Sequence, residues 1–85
     1  MAKAAVISAI MENPHESQQD FNTIASNFQD IIRGRMGIPL GEGRPSLVSF
    51  TVVGSMDRIN SLTGKLGEIH DVSVKTAVSR IELED

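Results

Sequence analysis

The same pattern runs through this chain twice: a strand-like apolar stretch, an amphipathic helix and a second strand, first over residues 4–36 and again over residues 47–78. Two such units predict an α+β chain of order βαββαβ, with a four-stranded antiparallel sheet and both helices on one of its faces. That plan leaves the other face bare. Function is expected on that face, at the sheet edges or in the loops between units.

Residues Lys3 to Met11 carry β-branched Val6, Ile7 and Ile10 and no turn former, as suits a central strand. Asn13 is placed to cap a helix, Pro14 fits the first helical position and Glu16 completes a capping box. Phe21, Ile24, Ala25 and Phe28 then form one apolar stripe at helical spacing. In the second strand, Asp30 to Gly37, simple alternation puts Ile32, Gly34 and Met36 toward the helices and Ile31, Arg33 and Arg35 on the bare face. The glycines and prolines of residues 38–45 mark the connection between halves.

The third strand, Ser46 to Val53, presents Val48, Phe50 and Val52 to the core. Ser55 is a candidate N-cap for the second helix, Asp57 lies in its first turn, and Ile59, Leu62 and Leu66 supply its buried stripe. Gly64 weakens this helix by about 1 kcal/mol relative to alanine, and Gly67 is placed to end it. The last strand is expected over Asp71 to Val78, with the acidic tail Glu82 to Asp85 frayed.

Eighty-five residues make one domain, 1–85, with one small core. A domain of this size buries only about 60% of its unfolded surface, so a second copy would help to stabilise it. The expected bare face, with Val6, Ser8, Ile10, Ile31, Arg33, Leu47, Ser49, Thr51, Val53, Ser73, Lys75 and Ala77, is too apolar for a wetted sheet and too polar for a core. It suits a homo-oligomer, a dimer or tetramer joined through the sheet face or edges.

A net charge of −3 argues against a partner bound through its phosphates, so direct nucleic-acid binding is not expected. The absence of cysteine removes disulfides, thiolate metal sites and a cysteine nucleophile. No membrane span or leader pattern is evident, and a cytoplasmic protein is expected. His15 and His70 have no ligand-spaced companions, so no metal and no cofactor is expected.

Catalysis is likewise unsupported: there is no nucleophile motif and no Gly-rich phosphate loop opening a helix. Acylphosphatases carry an arginine-bearing loop between the first strand and helix, whereas the corresponding loop here is Glu12-Asn-Pro-His. RNA-recognition domains stack bases on sheet aromatics, but the three Phe are needed in the core and Tyr and Trp are absent. The chain reads as a non-enzyme.

Four segments carry a family resemblance: residues 30–39 (DIIRGRMGIP), 49–54 (SFTVVG), 59–67 (INSLTGKLG) and 72–75 (VSVK). They resemble the iron-only hydrogenase system regulators. That resemblance implies a ferredoxin-like, ACT-like domain related to the C-terminal domain of nickel-responsive repressors. It implies a regulatory role, including transcription regulation. The repressors' histidine and cysteine cluster is missing, so nickel sensing does not carry over, and a domain starting at residue 3 leaves no expected DNA-reading element before it.

The expectation is therefore an oligomeric regulatory module that binds a small effector or a protein partner. In ACT domains effectors sit near the first strand–helix loop, often between subunits. That points to Asn13 for amide hydrogen bonding and to Arg33 and Arg35 for pairing with an anion. The alternative is a purely structural module that docks a hydrogenase maturation factor without ligand.

Overall fold

The computed structural model describes residues 1–84. Along the chain run β1 (Ala2–Met11), α1 (Pro14–Ser26), β2 (Ile32–Pro39), β3 (Ser46–Gly54), α2 (Met56–Gly67) and β4 (Val72–Leu83). The strands form one sheet of order β2-β3-β1-β4, with every neighbouring pair antiparallel. This is the expected βαββαβ, ferredoxin-like arrangement, with β1 in the interior of the sheet.

Strand alternation sorts the two faces. Ala5, Ile7, Ala9 and Met11 of β1 join Val48, Phe50 and Val52 of β3 beneath Phe21 and Ala25 of α1 and Ile59, Leu62 and Leu66 of α2. The Phe21 and Phe50 rings stack at 5.7 Å between centroids and tie α1 to the centre of the sheet. Phe28 also reaches the core, but from the turn after α1 ends at Ser26.

The β2 alternation departs from the sequence expectation because of one extra residue. Ile32 pairs with Val52 but Gly34 pairs with Thr51, so Arg33 forms a bulge. Directly opposed residues share a sheet face. Arg35, opposite Phe50, therefore lies on the helix side, and Gly34, Met36 and Ile38, opposite Thr51, Ser49 and Leu47, lie on the open side. A slip of one residue exchanges faces for everything beyond it. Ile31 is also misplaced by simple alternation: it precedes the strand, is buried in the core, and its carbonyl accepts a hydrogen bond from the Val53 N–H at 2.9 Å.

β4 is longer than expected. After pairing Val78 with Ala5 it passes an irregularity and resumes with Glu82 opposite Lys3 and Leu83 opposite Ala2. Lys3 Nζ donates to the Arg80 carbonyl at 3.4 Å and pairs with Glu82 at 3.8 Å. Glu82 and Leu83 are thus strand residues rather than a frayed tail, and Asp85 lies outside the described residues.

The helix starts differ from each other. Ser55 Oγ accepts from the Arg58 N–H at 3.2 Å, as expected of a cap. Asn13 makes no side-chain capping bond. Its carbonyl instead accepts from the N–H groups of Glu16 and Ser17 and from the buried Ser17 hydroxyl.

Candidate functional site

Asn13 stands where β1 hands over to α1, and it lines two cavities. One, of about 550 Å³, opens between the helices and is lined by Ser17, Thr23, Lys65, Ile69 and His70 among others. The second, of about 950 Å³, lies between the β1–α1 loop and the β2–β3 connection, against Pro14, His15, Gln18, Pro39 and Arg44. Gly41 and Gly43 adopt positive φ in that connection, where the Arg44 N–H closes on the Gly41 carbonyl at 3.0 Å.

Asp71 is the other residue that lines both cavities, and the sequence reading did not single it out. It holds a left-handed backbone, φ 66°, and its carbonyl accepts from the Glu12 N–H at 3.0 Å, binding the loop before β4 to the loop after β1. The available signal was modest. Aspartate is one of the few non-glycine residues that tolerate this conformation, and here it stands just before a strand.

Carboxylates outnumber cations at this end of the domain. Glu16, Asp20, Glu68 and Asp71 face Lys65 around the smaller cavity, and Glu12, Glu42 and Asp71 face Arg44 around the larger. Such surroundings favour a ligand carrying an amino group over a simple anion. His70 Nε2 lies 3.4 Å from the Asp71 carboxylate, but the imidazole is 89% exposed, a poor setting for acid–base chemistry that needs water excluded. Among the described residues no group of three or more His, Cys, Asp or Glu is placed to hold a metal ion.

The structure does not gather the three candidate binding residues. Neither Arg33 nor Arg35 lines either cavity. Arg33 occupies the β2 bulge. Arg35 is engaged on the helix side, where it donates to Asn22 Oδ1 at 2.6 Å and stacks over two phenylalanine rings. The expected pair of arginines pointing the same way is replaced by one bulge residue and one helix-facing cation.

The open sheet face is the other prominent surface. Reading across β1, β3 and β2, Ile10, Leu47 and Ile38 stand side by side, followed by Ser8, Ser49 and Met36. On β4 the same rows end in Ser73 and Lys75. Val6 lies one step further along β1, beside Thr51 and Ala77. None of the described helices is long and apolar enough to cross a membrane.

Comparison with known proteins bears on the family and the fold. A family model, TM1266-like, described as "Iron-only hydrogenase system regulator, putative", matches residues 3–76. The solved structure of the uncharacterized protein TM1266 from Thermotoga maritima is similar at 27% identity and a TM-score of 0.86, over 92% of this chain and 98% of that one. The C-terminal domain of the MgtC protein from Mycobacterium tuberculosis is similar at 11% identity and a TM-score of 0.70, over 98% and 94%. CPII, a nitrogen regulatory PII-like protein from Thiomonas intermedia bound to ADP, AMP and bicarbonate, is similar at 11% identity and a TM-score of 0.52 over the full length of both chains. The last two likenesses are of fold alone. No curated protein matches the chain.

Proposed function

This chain belongs to the TM1266-like family of iron-only hydrogenase system regulators, and we propose that it acts there without catalysis, by binding a small effector beside Asn13. The observation that carries the reading is the position of Asn13: its side chain makes no capping bond, and the residue lines both cavities. A carboxamide offers donors and an acceptor together. With Arg44 or Lys65 set among several carboxylates, the surroundings suit a small zwitterion whose amino group meets the carboxylates. In this reading the protein works in the cytoplasm as an oligomer, and any effect on transcription passes through a partner.

A thermal-shift screen with amino acids, nucleotides and metal ions tests this. Stabilisation by an amino acid, lost in Asn13→Ala, is the expected result. No shift with any of these probes would count against an effector.

A second reading is favoured by the aliphatic open face: a docking module that holds a hydrogenase maturation protein and needs no ligand. Co-purification from the native host separates the two, since a stoichiometric protein partner together with a silent ligand screen supports docking.

A further inference from the structure

The open sheet face carries an inference independent of the effector reading. Val6, Ile10, Met36, Ile38 and Leu47 stand on it, and Leu40 lies just beyond the end of β2. Each of these six side chains is between 40% and 63% exposed. Together they leave on the order of 500 Å² of apolar surface in water, as large as the biggest patch of a typical monomer. With its polar surround the face approaches the roughly 800 Å² per partner of a standard stable interface.

Charge is arranged to match. The chain has 11 acidic residues; none occupies a position on this face in the paired strands, and Glu12 and Asp71, joined by a backbone hydrogen bond just past β1 and before β4, lie at its end. Lys75, on edge strand β4, stands at the rim. An aliphatic centre with a cation at its margin has the anatomy of a protein interface.

We infer that this face closes on a second copy of the same chain, through a two-fold axis that lies between the two sheets and runs across the strands. The choice of axis follows from the rows. An axis along the strands would set β2 over β4, bringing Met36 against the ammonium of Lys75. The axis across them sets β1 over β1 and β2 over β2. Placed between the Ile10 and Ser8 rows, it puts Ile10 over Ser8 and Leu47 over Ser49 of the second copy, large over small, with Met36 against Ile38. Lys75 then meets Ser73 at the rim. Two sheets packed in this way lie about 10 Å apart, the spacing that interdigitated side chains fill.

Sedimentation equilibrium of the full chain gives the test. The wild type is expected at twice the monomer mass, and Ile38→Lys, a change on an exposed edge strand, is expected to raise the dissociation constant at least tenfold while keeping the native circular dichroism spectrum. Ile81→Lys, a similarly exposed site on β4 away from the patch, leaves the dimer intact. If Ile38→Lys does not fold, Met36→Lys supplies the same measurement. A monomeric wild type at about 100 μM, or a dimer indifferent to both β2 variants, overturns the inference. The larger Asn13 cavity meets this face only at its margin, where Pro39, Gly41 and Ser46 flank Leu40 and Leu47, so Ile38→Lys and Asn13→Ala address different residues. Loss of the dimer without loss of ligand stabilisation, or the reverse, separates the two proposals.

Discussion

The guanidinium of Arg35 lies 5.4 Å from the centroid of the Phe50 ring and covers the outer side of the Phe21–Phe50 stack. A residue that alternation assigns to the bare face instead shields the aromatic centre of the core. The bulge at Arg33 brings it there, and the bond to Asn22 holds it against α1.

Arg35→Ala is expected to destabilise the fold by about 1 kcal/mol, the scale of a partly exposed cation–π contact. Arg35→Lys should recover only part of the loss, because an ammonium lacks the flat stacking surface of a guanidinium. Urea unfolding of the three proteins measures it. Equal midpoints for all three would remove the structural role.

Ile31 and Gly54 make a close contact across the end of the sheet. A β-carbon built on Gly54 falls 2.5 Å from Ile31 Cγ2. Gly54→Ala therefore forces the buried isoleucine to move and is expected to cost about 1–3 kcal/mol. Chemical denaturation of Gly54→Ala checks this, and a neutral result would show that the Ile31 site yields easily.

Gly64 presents the opposite case. It lies inside α2 with nothing within 4 Å of a β-carbon built on it. Gly64→Ala should stabilise the protein by about 0.5–1 kcal/mol through the lower entropy of the unfolded chain. The expected readout is a higher melting temperature with an unchanged fold.

Asp30 and Arg58 give a pH dependence. Arg58 donates to the Asp30 carboxylate while also binding the Asn27 carbonyl and stacking 4.3 Å above the Phe28 ring. The hydrogen bond from Arg58, aided by its charge, holds the Asp30 carboxyl below its ordinary value of 3.8. A depressed carboxyl pKa adds stability that is fully present above the unfolded value and is lost as pH falls through the folded one. Asp30→Asn should therefore be less stable than wild type at neutral pH, with the two curves converging below pH 3.8. A constant offset across the whole range would break the link to Asp30 ionisation.

The order of elements, the antiparallel sheet, the helix stripes through Phe21 and Ile59 and the Ser55 cap were legible in the residues, because periodicity and capping are local properties that a short window contains. The Asn13 loop was singled out through resemblance, and its geometry came from the assembled chain. Asp71 belongs to that loop's surroundings by tertiary proximity, which no spacing in the chain encodes.

Local pattern determined which segments become strands and helices and which of their residues are large and apolar. Tertiary structure decided the facing of β2 and the reach of β4. Alternation counts residues, whereas facing depends on pairing with the neighbouring strand, and one unpaired residue at Arg33 exchanges the faces of all that follow. Thus Arg35 joins the phenylalanines, Met36 and Ile38 join the open face, and the aliphatic patch takes its shape. The repeated β-α-β pattern left a bare face to be expected. Only the register of β3 against β2 decided what that face presents.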